Sequence, residues 1–363
     1  MAKATRKKIL IILTGGTIAG NIAGAKDKKN SKARANSFDF LLNNSLENIQ
    51  KSLNINIKVS DIFNIDSSNI LPQNWVAILD KIKDNYDSFD AFIILHGTNT
   101  MGYSAAALSF ALENINKPVI LTGAQVPMGT LGSDAMTNLA NALRLAAWPH
   151  HSIKGVIAVF GSKIISGVRV KKGTDFDYDP FSSFITGALG QIGRFVRISD
   201  TSLNKHNHYL SKFKPLASNA KTLSIKKEFA TCSVASLTEF PGMSPEIFKD
   251  LVDGSDIKGF VFRAFGAGDA STNLLAGFEY LKKKKIPIVV TSQAPQGIAN
   301  FQVNEPGKIL KDRDLAIPAY DMNIESMTVK MAWLIAQKLS YEEIKKKMLE
   351  DLHGEINVEN ELR

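Results

Sequence analysis

Two short turns carry the residue types that can do chemistry. "HGTNT" (96–100) follows the apolar run "AFIIL" (91–95), and "TGGT" (14–17) follows "KILIIL" (8–13). Both place threonine hydroxyls at a glycine-flanked strand end. A hydroxyl there is a candidate nucleophile, and the neighbouring backbone N–H groups can form an oxyanion hole. Such a nucleophile needs a base or a cation to activate it. Lys171 and Lys172 of "VRVKKG" (168–173), which follow another strand, can serve. Thr100 and Ser104 read as ordinary cap and turn residues. The six histidines show no ligand spacing, and His150–His151 beside Pro149 reads as a surface turn. No metal or cofactor is expected. "GGTIAG" lacks the glycine spacing of the dinucleotide fingerprint, and "GxxxxGK[ST]" is absent, which argues against a nucleotide site.

These turns need a scaffold that brings strand ends together. Apolar strands alternate with helical segments along most of the chain, the pattern of a parallel sheet covered by helices. The expected strands are 9–13, 55–59, 91–95, 118–122 and 155–160. Helices are expected at 39–53, 73–84 with Pro72 near its start, 103–115, and 133–147 capped by Ser133 or Asp134. Ligands of open parallel sheets bind outside the carboxyl ends of the strands, so "TGGT", "DSSN" (66–69) and "HGTNT" are expected to line one crevice. Residues 201–222 read as polar and irregular. A second series follows: strands at 231–238, 257–263 and 286–291, and helices at 244–253, 271–284 and 325–339. The expected organisation is an N-terminal α/β domain over 1–205, a linker over 206–228, and a C-terminal α/β domain over 229–363.

Length and composition agree. A chain of 363 residues suits two domains, and 44% hydrophobic with 22% charged residues is ordinary for a globular protein. The net charge of +9 raises nucleic-acid binding, but the lysines are scattered over mixed-charge helices such as "YEEIKKKMLEDL" (341–352), without an aromatic-rich basic motif. Solvated faces explain them better. Cys232 is the single cysteine, so no disulfide framework exists. The basic start "MAKATRKKILIIL" resembles a signal peptide, but its apolar run Ile9–Leu13 is shorter than the usual ~7–15 residues. A buried first strand and a cytoplasmic protein are expected, with no membrane or nucleic-acid partner. No apolar run approaches the ~20 residues of a membrane span.

Taken together, "TGGTIAG" (14–20), "DSS" (66–68), "HGTNTMGYSAAALSFALENINKPVILTGAQ" (96–125), "SDAMTNLANAL" (133–143), "RAFGAGDAS" (263–271) and "DMNIESMTVKMAWLI" (321–335) resemble the bacterial-type L-asparaginases, in their type I, cytoplasmic branch. The resemblance covers nearly the whole chain. It implies a larger, flavodoxin-like N-terminal domain and a smaller C-terminal α/β domain. It also implies a homotetramer, a dimer of dimers, whose active sites lie at the dimer interface. The implied reaction is hydrolysis of L-asparagine to L-aspartate and ammonia without a cofactor. Thr17 is the implied nucleophile. Thr98, Asn99 and Lys172 form the implied polar relay, and N–H groups near Gly16 and Thr98 hold the oxyanion. Asp66, Ser67 and Ser68 grip the α-carboxylate and α-amino ends, Asp269 and Glu325 of a partner subunit complete the amino-group pocket, and Gly20–Phe38 is the lid loop.

The chain departs from the family at three places. The second motif normally reads His-Gly-Thr-Asp-Thr, and here Asn99 replaces the Asp. The family has Asn where this chain has Asp269. Type I members often carry a cysteine within the "TSQAPQG" region (291–297), near an allosteric asparagine site, where this chain has Ala294. Asn99 implies reduced activity. It leaves two further readings: an impaired amino-acid-binding protein of the same fold, and an ammonia-supplying amidotransferase subunit. The archaeal form of that subunit carries an extra N-terminal module for which this chain has no room.

Overall fold

The computed structural model describes residues 6–16, 46–148, 153–212, 223–229 and 233–358. Thr17, the expected lid Gly20–Phe38, the first part of the helix expected at 39–53, His150–His151, residues 213–222 and Cys232 lie outside them. The chain divides into two compact units, 1–227 and 228–363.

The first unit is built on an eight-stranded sheet. Its parallel part consists of β1 (Lys8–Leu13), β2 (Asn56–Asp61), β3 (Ala91–Leu95), β4 (Pro118–Thr122) and β5 (Gly155–Phe160), in the spatial order β2-β1-β3-β4-β5. This is the flavodoxin-like order, in which the connection reverses direction between β1 and β3. Both of those strands are apolar runs buried on both faces, as parallel strands under two helical layers must be. Edge strand β2 is only partly buried.

Beyond β5 the sheet turns antiparallel through β6 (Lys163–Ser166), then β9 (Gly190–Ile192) and β10 (Val196–Ile198). A separate two-stranded ribbon pairs β7 (Val170–Lys172) with β8 (Phe181–Ser183), and Lys172 pairs with Phe181. Helix Pro72–Asn85 starts with its proline in the first turn, and Met101–Ala111 and Ala135–Ala147 follow β3 and β4. At the last of these helices, Ser133 Oγ accepts the Ala135 N–H at 3.2 Å. Asp134 instead holds the preceding turn, accepting the N–H groups of Gln125 and Val126 at 3.0 Å.

One expectation needs correcting. The stretch read as irregular from residue 201 begins with a helix, Asp200–Lys212. It holds because Leu203 and His206, one turn apart, are both buried, Leu203 in the main core. His206 Nε2–H donates to the Lys154 carbonyl at 2.9 Å. Polar composition hid a helix with a narrow apolar stripe.

The second unit carries a four-stranded parallel sheet of β11 (Val234–Thr238), β12 (Gly259–Ala264), β13 (Ile288–Ser292) and β14 (Ile317–Pro318), in that spatial order. Its core centres on Phe248, Phe260, Phe262 and Phe278, with Phe248 5.4–5.6 Å from the other three ring centroids. Besides the expected helices it contains Glu305–Asp312.

Candidate active site

The crevice of such a sheet lies where the strand order reverses, at the carboxyl ends of β1 and β3. Both threonine motifs start there. Thr14 continues the β1–β3 pairing: its N–H and its Oγ1 both donate to the Leu95 carbonyl, at 3.2 and 2.8 Å. The chain after β2 closes on the same point, with the Ile65 N–H donating to Thr14 O at 3.2 Å and the Gly16 N–H to Ile65 O at 3.1 Å.

Glycine is required because three backbones stack. A Cβ on Gly16, whose φ is +80°, would lie 2.5 Å from Gly97 Cα, and one on Gly97 would lie 2.6 Å from Ser67 Oγ. The spacing of "TGGT", "DSSN" and "HGTNT" thus places residues 14–16, 65–68 and 96–100 in one cluster. The N–H of Gly16 itself is occupied by Ile65, so any oxyanion donor in this region belongs to a neighbouring residue.

The 66–69 turn docks on the 98–100 turn through side chains. Asp66 Oδ1 accepts the Ser68 N–H at 2.8 Å and caps the short 3-10 turn Ser67–Asn69. Ser67 Oγ accepts the Asn99 N–H at 3.2 Å, and Thr100 Oγ1 donates to Ser67 O at 2.8 Å. Asn99 Nδ2 donates to Ser68 Oγ at 3.0 Å. Thr100, expected to be an ordinary cap, sits at the N-cap of Met101–Ala111 without a capping side-chain bond and ties the two turns together instead.

Lys172 reaches this cluster from the β7–β8 ribbon. Its Nζ donates to Thr98 Oγ1 at 3.0 Å and to Asn99 Oδ1 at 2.9 Å. Both partners are neutral. Burial lowers the Lys172 pKa below its ordinary value, and the charge of Asp175 opposes that shift. An ammonium beside a threonine hydroxyl, with a lowered affinity for its proton, can move a proton to or from that oxygen. Lys171, the other candidate, is not part of these contacts.

A feature invisible in the spacing lies behind the cluster. His96 is fully buried. Its Nδ1 lies 2.6 Å from the Gly97 carbonyl and its Nε2 lies 2.9 Å from Ser104 Oγ. Ser104 Oγ in turn accepts Trp75 Nε1–H at 2.9 Å. A carbonyl only accepts, so Nδ1 carries the proton, and Nε2 accepts from the Ser104 hydroxyl. The chain runs one way, Trp75 to Ser104 to His96 to Gly97 O. It fixes the Gly97–Thr98 peptide, whose N–H points opposite to its carbonyl because the peptide is trans. Ser104 is therefore an internal helix residue with two buried partners rather than a turn residue.

In the second unit, Asp269 closes a tight turn after β12. Its Oδ2 accepts Asn304 Nδ2 at 2.7 Å and the Ala267 N–H at 3.3 Å. Glu325 is buried in the first turn of helix Ile324–Ala336, next to a side-chain cap in which Asn323 Oδ1 accepts the Ser326 N–H at 2.7 Å. Ala294 lies in the turn after β13, its N–H donating to Ser292 Oγ at 3.0 Å. Among the described residues, no group of three or more His, Cys, Asp or Glu side chains could hold a metal ion, and no helix is long and apolar enough to cross a membrane.

A flavodoxin-like sheet with a threonine–lysine pair at its switch point, followed by a smaller parallel α/β unit, is the two-domain asparaginase architecture. The chain belongs to the asparaginase family: the model for "Asparaginase, N-terminal" matches residues 8–204, and that for "Glutaminase/Asparaginase C-terminal domain" matches 233–348. It is 32% identical to L-asparaginase 1 of Escherichia coli K12 over 294 residues, 80% of this chain and 82% of that one. It is 31% identical to a glutamyl-tRNA(Gln) amidotransferase subunit of Methanococcus vannielii over 361 residues, 97% of this chain and 79% of that one. The crystal structure of L-asparaginase I from Vibrio cholerae matches with a TM-score of 0.78 at 30% identity, over 98% of this chain and all of that one.

Proposed function

We propose that the protein is an L-asparaginase-type amidohydrolase that releases ammonia from a side-chain amide through a threonine nucleophile. The observation that carries this is Lys172 Nζ within hydrogen-bond distance of both Thr98 Oγ1 and Asn99 Oδ1. Thr17 attacks the amide carbon, the tetrahedral oxyanion is held by backbone N–H groups, and the C–N bond breaks as the nitrogen takes a proton and leaves as ammonia. Water then attacks the resulting ester, with Thr98 and Lys172 relaying its proton, and releases the acid. Asp66, Ser67, Ser68 and Asn99 bind the substrate's far end. Asp269 and Glu325 complete that pocket from a second copy, so the working unit is a dimer, and the family resemblance extends it to a homotetramer, a dimer of such dimers. Side-by-side ammonia release from L-asparagine and L-glutamine tests the reading. Turnover of asparagine is expected, and no turnover of either overturns it. Sedimentation is expected to show no active monomer.

A second reading rests on the amidotransferase relative: the same site can supply ammonia to a partner synthetase. Ammonia release that rises only when such a partner is added would favour it.

A further inference from the structure

Gln125, in the turn after β4, is anchored by its backbone and reaches out with its side chain. Its N–H donates to both carboxylate oxygens of Asp134, at 3.0 Å each. Asp134 Oδ2 also accepts Asn138 Nδ2 at 2.9 Å, and Asn138 Oδ1 accepts the Gly161 N–H at 2.9 Å. These bonds fix Gln125 to helix Ala135–Ala147 and to the end of β5. Gln125 Nε2 gives its two protons to two carbonyls, Asp175 O and Asp177 O, at 3.1 Å each. Carbonyls only accept, so the nitrogen is the end that meets them. Both carbonyls belong to the loop 173–180 that joins β7 to β8. The Gly173 N–H donates to Pro180 O at 2.8 Å and closes the neck of this loop directly after Lys172.

Among the described residues, the charged or titratable groups around Lys172 are Asp66 in the facing turn and Tyr103 on the helix packed against β7. Its own segment adds Arg169, Lys171 and the acids at 175, 177 and 179. Of these, Asp175 is the one whose charge opposes the effect of burial on Lys172. From this geometry we infer, resting on the amidohydrolase reading above, that Gln125 is a positioning residue for the reaction: its amide fork fixes the 173–180 loop so that Asp175 supplies, from a distance, the negative charge that Asn99 does not give Lys172. A carboxylate bonded to Nζ would lock the proton in place. One held off the nitrogen offsets part of the desolvation and leaves the proton exchangeable. The loop must be held for this, because Asp175 is exposed and solvent and salt screen an exposed charge that drifts away.

The test uses Gln125→Met, which keeps the length of the side chain and removes both donors, Asp175→Asn, and the double variant. The rate of Lys172 acetylation against pH, read by mass spectrometry of its peptide, gives the midpoint of its ionisation with or without turnover. Asp175→Asn is expected to lower that midpoint by roughly half a unit to one unit, the effect of one charge beyond bonding distance at a solvated site. Gln125→Met is expected to lower it by at least half as much, and the double variant no further than Asp175→Asn alone. With L-asparagine, the limb of the kcat pH profile that reports Lys172 should move to lower pH by the same amounts. An unmoved midpoint in either single variant overturns the inference, as does a double variant whose shift is the sum of the two. A kcat that falls equally at every pH in Gln125→Met, the mark of a merely structural role, also overturns it. Absence of ammonia release by the natural protein overturns the amidohydrolase reading instead, and the acetylation midpoints then still decide whether Gln125 holds Asp175 in place for Lys172.

Discussion

Two lysines, one in each unit, are held by opposite chemistry. Lys330 is fully buried, and its Nζ donates to Glu355 Oε1 at 2.6 Å, Glu350 O at 2.6 Å and Met348 O at 3.2 Å. Glu355 is equally buried and also accepts the N–H groups of Leu352 and His353. Burial alone would raise the Glu355 pKa. The charges of Lys330 and His353 and these hydrogen bonds outweigh it and hold the carboxyl below its usual range. Lys172, half-buried, has a hydroxyl and an amide oxygen rather than a carboxylate as the hydrogen-bond partners of its Nζ, with the charge of Asp175 acting on it without such a bond. A lysine whose proton is locked by a carboxylate and carbonyls can only hold the chain together, here tying helix Ile324–Ala336 to the segment after Tyr341–Leu349. A lysine with neutral partners at a crevice can exchange its proton.

The sharpest way to break that contrast is to remove each charge in turn. Lys172→Met is expected to lower ammonia release by roughly 10²–10⁴, the range for a group that transfers protons in the transition state. Its Tm should stay near the natural value, because no buried partner loses its charge. Thr17→Ala should lose at least the ~10²–10³ attached to one catalytic group. A Lys172→Met protein that melts early but turns over normally would make Lys172 a structural residue like Lys330.

Lys330→Met tests the other side. It strands Glu355, and breaking a buried pair by removing one partner costs about 3–5 kcal/mol. Denaturant unfolding should register that loss. Lys330→Met/Glu355→Leu should recover much of it, since an apolar pair avoids desolvating two charges. If the double variant is no better than the single one, the backbone carbonyls rather than the carboxylate carry the stability of Lys330.

The contrast between these lysines is only half legible in the sequence. Strands 91–95, 118–122 and 155–160 agree with the structure residue for residue, because strands buried on both faces are continuous apolar runs. The crevice follows from the polar turns at their ends. The ribbon Val170–Lys172 and Phe181–Ser183 does not show, since three-residue strands leave no periodicity. "EPGKILKD" (305–312) hides its helix because its Pro and Gly argue against a helix interior, yet the proline sits in the first turn, where it is tolerated. Lys330 sits on a helical face like any other lysine, and only the chain folding back through Glu355 shows why it is inside. His96 gives no ligand pattern because its partners, Trp75 and Ser104, are fixed by tertiary packing. A histidine placed directly between a buried strand and a Gly-Thr turn is the available signal.

The smallest expected effect concerns His96, which links the structural and catalytic halves of the contrast inside one unit. Burial pushes its pKa down to about 4, although the bond to Gly97 O pulls the other way. The unfolded chain binds the proton near pH 6.5, so between pH 6.5 and 4 the unfolded state holds more protons than the folded one. The stability contribution is therefore complete above about 6.5 and declines as pH falls toward 4. At about 1.4 kcal/mol per unit, the span is worth roughly 3 kcal/mol. His206, also lowered by burial, acts in the same direction. Thermal unfolding should show Tm falling steadily across this range. Ser104→Ala removes the hydroxyl that donates to His96 Nε2 and accepts the Trp75 Nε1–H, at a cost of about 1–3 kcal/mol at pH 7. The acid slope should soften in this variant, because protonated Nε2 no longer has a hydroxyl proton aimed at it. Its ammonia release should fall by less than tenfold, since the bond that orients the Gly97–Thr98 peptide runs through Nδ1 and survives. A hundredfold loss of activity in Ser104→Ala, at an unchanged Tm, would instead place the hydroxyl in the chemistry.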